Sequence, residues 1–227
     1  MREPLIIGHR GASAVALENT MPAFAAAIAA GADGIEFDVH LSRDGAPVII
    51  HDETLQRTHG LRRSVADLTV EELREVGVPS LRDLFALMSQ NDLLLCLEIK
   101  ARSSTIGDLC SQLVHEFGFA GRVIVECFDL NLLQKIQGLK TAALFGRGIY
   151  ADQKLIDRAL EVGASVLALH HSLVRSSLIE KAKLAGLKVI VWTVDSPAWV
   201  AQARALGIEA LITNDPALMI EAWDRLA

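Results

Sequence analysis

Glu36 and Asp38 stand two residues apart in the stretch Gly34-Ile35-Glu36-Phe37-Asp38-Val39-His40-Leu41. Ile35, Phe37, Val39 and Leu41 are apolar, so the stretch reads as a buried strand. Side chains two apart on a strand point the same way, which puts both carboxylates and His40 on one face. Carboxylates so placed repel each other and are costly to desolvate unless a positive charge lies between them. A divalent cation with oxygen ligands, Mg²⁺ or Ca²⁺, is the simplest remedy. A solvated acidic edge strand would show the same spacing, but the neighbouring sequence favours the cation. Residues 93–100 form a second apolar strand, with Glu98 and Lys100 in the same i, i+2 relation. If the two strands are neighbours, Glu98 completes a three-carboxylate cluster with positions open to water or substrate oxygens. The competing arrangement is a salt-bridge layer in which Lys100 neutralises one acid.

His9 and His51 each follow a short apolar strand. A lone histidine in such a place is usually structural, but two beside a carboxylate cluster can keep one ring neutral and one protonated. That pair suits displacement at phosphorus, which needs a base for the nucleophile and an acid for the departing oxygen. Arg10 and Lys100 add fixed positive charge suited to phosphate oxygens. With a divalent ion, three carboxylates, Arg10, Lys100 and neutral histidines, the formal balance is about +1, which a phosphodiester would cancel. Trp192 could wall a substrate or belong to the core, and His170 and His171 could reach an outer phosphate or head group. The facing of Glu126 is open. His59, Arg57, Arg62 and Arg63 read as a solvated loop face.

The elements that must hold these residues alternate regularly. Strands are expected at 5–8, 34–41, 93–100, 123–127, 141–145, 166–170, 188–193 and 210–213, with an extra returning strand at 47–50. Helices are expected at about 20–30, 104–117, 130–137, 153–162, 176–185, 197–206 and 216–226, with short ones near 69–73 and 79–88. Residues 54–68 are polar and irregular. Gly163, Gly186 and Gly207 sit just past three helices, where a left-handed residue ends the last turn. Eight βα units in 227 residues point to a TIM (β/α)₈ barrel. A doubly wound open sheet is the alternative. His9, Glu36/Asp38, Glu98/Lys100, Glu126, His170, Trp192 and Asn214 all fall late in or just after their strands, and a barrel gathers such ends around one mouth. No linker or shift in composition divides the chain, so residues 1–227 read as one domain, with a short hairpin and a shortened insertion at about 42–80.

A net charge of −6 argues against a general nucleic-acid binder. Cys96, Cys110 and Cys127 are too few and scattered for a disulfide framework and have no zinc spacing, so they are expected as reduced thiols in or near the core. Residues 1–7 run straight into a strand rather than a signal peptide, and no apolar run approaches the ~20 residues of a membrane span. A cytoplasmic protein is expected. Nothing in the sequence indicates an oligomeric state.

His9-Arg10-Gly11, Glu18-Asn19-Thr20, Glu36-Phe37-Asp38-Val39, His51-Asp52, Leu97-Glu98-Ile99-Lys100 and Val191-Trp192-Thr193-Val194 occur in that order. Together they resemble the glycerophosphodiester phosphodiesterase family, over nearly the whole chain. The resemblance implies a TIM barrel and a Mg²⁺- or Ca²⁺-dependent hydrolysis of glycerophosphodiesters to glycerol 3-phosphate and an alcohol. It also implies His9 and His51 as the acid/base pair and Glu36, Asp38 and Glu98 as metal ligands. Arg10 and Lys100 match its phosphate-binding positions, and Trp192 matches an aromatic at the substrate mouth. The chain departs from the family pattern at Leu17, where a proline is common, at Cys127-Phe128 in place of Ser-Phe, and at Thr213-Asn214-Asp215 in place of Thr-Asp. The segment between His51 and residue 93 is also short, with Val78-Pro79-Ser80-Leu81 directly after Gly77. A more open mouth motivates a second reading, lysophospholipase D activity on lysophospholipids. The altered positions motivate a third, a barrel that binds a phosphate ligand without catalysis.

Overall fold

A computed structural model describes residues 3–100, 103 and 105–226. Its strands are β1 (Leu5–His9), β2 (Gly34–Leu41), β3 (Pro47–Ile49), β4 (Leu94–Ile99), β5 (Val123–Cys127), β6 (Lys140–Phe145), β7 (Val166–His170), β8 (Lys188–Trp192) and β9 (Ala210–Thr213). All but β3 pair in parallel, in the order β1-β9-β8-β7-β6-β5-β4-β2, and β1 also pairs with β2. That last pairing closes the ring and excludes the open sheet. The result is the expected eight-stranded barrel, with helices around it.

Inside the ring, the period-2 alternation of the strands stacks polar groups on apolar ones. Ile7, Cys96, Ile124, Ala142, Leu144, Ile190, Ala210 and Ile212 belong to a buried apolar cluster. His9, Glu98, Glu126, Trp192 and Asn214 lie two residues beyond members of that cluster, at the carboxyl ends of their strands. Residues on the opposite face, such as Ile35, Phe37, Leu97 and Val125, pack against the helices in a larger cluster. The glycines after three outer helices have the left-handed backbone expected of them: Gly163, Gly186 and Gly207 have φ of 70°, 77° and 63°.

Strand β3 lies outside the ring, antiparallel to β2, with Val39 opposite Ile49 and Leu41 opposite Pro47. The segment beyond it is more ordered than its polar composition predicts. It forms a short helix at Gln56–His59 and a 3₁₀ turn at Val65–Asp67, and Leu55, Val65, Leu68, Leu73 and Val78 bury with Val48 and Ile50 in a small core of their own. One other helix differs from expectation. The one expected at 130–137 stops at Leu133, and the chain that follows seats Ile136 against Gly107 of the helix Ile106–Glu116. That second helix was expected from residue 104, which lies outside the described residues.

The turn after β1 is held tightly against the first helix, Met21–Ala29. Arg10 (φ 55°) and Gly11 (φ 85°) are both left-handed. A Cβ on Gly11 would sit 2.6 Å from the Ala23 carbonyl carbon. Gly11→Ala is therefore expected to destabilise the protein by about 2 kcal/mol, through strain and a backbone clash. Thermal unfolding should show a fall of roughly 4–8 °C. An unchanged midpoint would mean that the helix yields freely at Ala23.

Candidate active site

At the carboxyl end of the barrel, Glu36, Asp38 and Glu98 each offer an oxygen within 4.8 Å of the other two. Adjacent, in-register strands bring them together, with Asp38 opposite Glu98 across β2 and β4. Asp38 is fully buried and Glu36 nearly so. Burial, reinforced by its two acidic neighbours, drives Glu36 well above the ordinary carboxyl range. Burial and Asp38 raise Glu98 to about 7, against the pull of Lys100. Asp38 goes the other way: burial works to raise it, but Arg10, Lys100, His51 and a bond from Asn19 outweigh that and lower it. Lys100 Nζ donates to Glu98 Oε1 at 2.8 Å and lies 3.6 Å from Asp38 Oδ1. Arg10 Nε is 3.1 Å from Asp38 Oδ2, and the Arg10 backbone N–H donates to Glu36 Oε2 at 3.0 Å. The salt-bridge layer is therefore present, and it still leaves Asp38 Oδ1 without a hydrogen-bond partner among the described residues. Three converging carboxylates, one with an orphaned oxygen, fit a hard divalent cation.

The histidines flank this cluster. The His9 ring bonds through Nδ1 to Asn214 Oδ1 at 2.7 Å. Asn214 presents its oxygen there because its amide group donates to Asp195 Oδ2, and Ser13 donates to the same oxygen. His9 must then carry its proton on Nδ1, which leaves Nε2 as an open acceptor, 3.9 Å from Glu36. Burial, aided by the charge of Arg10, lowers the His9 pKa and keeps the ring neutral. His51 arrives on the antiparallel β3. Its backbone carbonyl accepts from His40 Nε2, and the neighbouring Ile50 N–H donates to the Asp38 carbonyl. Its Nδ1 bonds to Asp52 Oδ1 at 2.6 Å. An Arg57 hydrogen bond, with help from His51, holds Asp52 down at about 2, so it accepts, and His51 lines the cavity.

Arg57 was expected on a solvated loop face, and it is exposed there, on the short helix Gln56–His59, but it is tied to the site. It donates to Asp52 and, with two nitrogens, to Glu18. Glu18 also accepts from Arg10 at 2.8 Å. A continuous chain, His51–Asp52–Arg57–Glu18–Arg10–Asp38, thus runs from one histidine to the carboxylates. Asn19, read from sequence only as helix-starting chemistry, clamps Asp38 as well. Its amide donates to Asp38 Oδ2 at 2.8 Å, while Thr20 caps the helix.

Together these side chains line a cavity of about 230 Å³ that holds His9, Arg10, Glu36, His51, Glu98 and Lys100. Its other wall is Glu126, Phe128, Leu144, Trp192 and Ile212. Glu126 therefore faces inward, which the sequence left open, and burial raises it to about 8. Trp192 meets Phe128 edge to face at 5.7 Å. His170 does not line the cavity. It packs edge-on to Trp192 at 5.2 Å and bonds to Arg147 and Ser172, so it buttresses that ring.

A family model described as "Glycerophosphoryl diester phosphodiesterase family" matches residues 9–218, and that span takes in every residue of this site. The chain belongs to that family. Among curated relatives, a glycerophosphodiester phosphodiesterase of Caldanaerobacter subterraneus subsp. tengcongensis is 32% identical over 236 residues, covering 95% of this chain and 96% of its own. The crystal structure of a glycerophosphodiester phosphodiesterase from Thermotoga maritima superposes with a TM-score of 0.84 at 30% identity, over 97% of this chain and 99% of that one. A solved structure from Silicibacter pomeroyi aligns at TM-score 0.88 and 25% identity, over 99% and 94% of the two chains.

Acid sensitivity should follow from the Arg57 bridge. Glu18 and Asp52 are both held at about 2, below their ordinary 4.5 and 3.8. Depressed carboxyls contribute stability above their unfolded values and lose it as pH falls toward the folded one. Arg57→Ala should thus cost about 1 kcal/mol at pH 6, a modest value because Arg57 is half exposed. The difference from the unsubstituted protein should close by pH 2 to 3. A gap that stays constant with pH in denaturant titrations would refute the electrostatic origin.

Proposed function

We propose that this protein hydrolyses glycerophosphodiesters to glycerol 3-phosphate and an alcohol, using His9 and His51 as a proton-transfer pair around a divalent cation. One observation carries the reading: two imidazoles with opposite second partners, Asn214 for His9 and Asp52 for His51, flank three clustered carboxylates. Membership of a hydrolase family and relatives named for this reaction support it. Glu36, Asp38 and Glu98 would hold Mg²⁺ or Ca²⁺, which when bound supplies positive charge to phosphoryl oxygens.

The protein's own groups divide the remaining work. Arg10 and Lys100, already oriented by Glu18 and Glu98, neutralise the phosphate. His9, neutral and open at Nε2, takes the proton of the attacking oxygen. His51, held through Nδ1 by ionised Asp52, is the proton donor of the pair. It delivers its proton to the departing alkoxide. Both a water and the substrate's own glycerol hydroxyl satisfy this scheme as nucleophile, and a cyclic phosphate product would identify the second.

Net charge of −6 speaks against nucleic acid as the substrate. Three buried, unpaired cysteines suit a reducing cytoplasm. No helix among the described residues is long and apolar enough to cross a membrane.

Release of glycerol 3-phosphate from glycerophosphocholine should vanish on chelation and return with Mg²⁺ or Ca²⁺. His9→Ala and His51→Ala should each lower kcat/KM by about 10²- to 10⁴-fold with little change in melting temperature. Full turnover in either variant would defeat the acid/base assignment. Faster turnover of lysophosphatidylcholine would move the substrate to lysophospholipids, and binding without turnover would leave a barrel that only binds.

A further inference from the structure

The His9 ring is held from its Nδ1 side by residues that stand after the next two strands of the ring, β9 and β8. Asn214 follows β9 directly, and Asp195 lies three residues past β8. Both stretches are pinned through the backbone. The Val194 N–H donates to the Ile212 carbonyl at 3.0 Å, and the Asn214 carbonyl accepts from the Ala14 N–H at 3.0 Å. Asp195 Oδ1 accepts from the Asn214 backbone N–H at 2.8 Å and from the buried Thr213 hydroxyl at 3.0 Å. Its Oδ2 is left for the Asn214 side chain, at 2.7 Å. A carboxylate only accepts, so the amide must turn its NH₂ to Asp195 and its oxygen to Ser13 and His9.

We infer that Asp195 is a positioning residue for His9: through Asn214 it selects the imidazole tautomer whose Nε2 stays open beside the carboxylates. The inference rests on the proposed role of His9 as the base. An amide has two ends of nearly the same shape, and nothing on His9 itself decides which one it meets. Without an obligate acceptor behind it, Asn214 can turn over and offer its NH₂ to Nδ1. The ring proton then sits on Nε2, the atom that must receive the nucleophile's proton, and the base is blocked. A wrong tautomer in otherwise intact geometry is enough to disable a catalytic histidine.

The match of donors and acceptors makes the pairing specific. Asp195→Asn keeps an oxygen for Thr213 and the Asn214 N–H, but sets its own NH₂ against that of Asn214, so the Asn214 amide has to flip. Asn214→Asp sets two carboxylates against each other where Nδ2 and Oδ2 now stand 2.7 Å apart. Making both changes at once gives every donor an acceptor again, with an oxygen still facing His9.

The test reads the His9 tautomer directly, by long-range proton–nitrogen correlation spectra of the metal-free protein at alkaline pH, where an imidazole is neutral. His9→Ala assigns the signal. The unsubstituted protein should carry its proton on Nδ1. Asp195→Asn should move it to Nε2 and, in the metal-loaded protein, lower kcat by about 10²-fold or more with little change in KM. Asp195→Asn combined with Asn214→Asp should return the proton to Nδ1 and recover most of the lost kcat, a rescue that a merely misfolded single variant would not produce. A proton that stays on Nδ1 in Asp195→Asn, or a double variant no better than that single one, would overturn the positioning role. A tautomer that switches and returns as expected, in a protein that turns over no glycerophosphodiester, would sustain that role and overturn the proposed reaction.

Discussion

Packing three carboxylates into one buried corner of the barrel is the constraint to which the other features answer. Mutual repulsion and desolvation act in the same direction on Glu36 and Glu98, and both are displaced upward. Only Asp38, with Arg10, Lys100 and Asn19 around it, is held in its charged form. Arg10 adopts a left-handed backbone, costly for a residue with a side chain, to bring both its N–H and its guanidinium to this corner. Gly11 follows because the turn leaves no room beside Ala23. Local strain next to the carboxylates is thus a product of the electrostatics.

What was legible in the sequence is what rests on short-range periodicity. The i, i+2 spacing placed Glu36 with Asp38 and Glu98 with Lys100, and the alternation of eight apolar runs with helical stretches gave the barrel. The contacts that the sequence does not show join residues over long separations. Asn214 meets His9 across 205 positions and Arg57 meets Glu18 across 39, and each is an ordinary polar loop residue in its own neighbourhood. The facing of Glu126 stayed open for another reason: Val123-Ile124-Val125 is apolar on both faces, so no alternation could fix which way the strand's last residues point. The short helix at Leu130–Leu133 shows tertiary packing prevailing over local helical pattern, since Ile136 is needed against Gly107.

Each half of the cavity has its own rigidity. On the charged side, orientation comes from ion pairs whose members each serve two partners, such as Glu18 between Arg10 and Arg57. On the apolar side, it comes from ring packing, with Trp192 between Phe128 and His170. Salt screens exposed ion pairs and leaves edge-to-face ring contacts largely alone. Ionic strength therefore acts on the half-exposed Arg57 bridge and spares the rings.

The two imidazoles are not mounted on the same body. His9 ends a strand of the closed ring, while His51 lies two residues past β3, which pairs with β2 alone among the strands and whose Val48, with Ile50 just after it, rests on the small separate core of Leu55, Val65, Leu73 and Val78. Peripheral units of this kind open at lower free energy than the ring they lean on. Fraying of the β3 unit would strip the site of His51 while the barrel, its carboxylates and His9 stayed assembled. Loss of activity on gentle heating can then precede unfolding, and it can reverse on cooling without any refolding of the barrel.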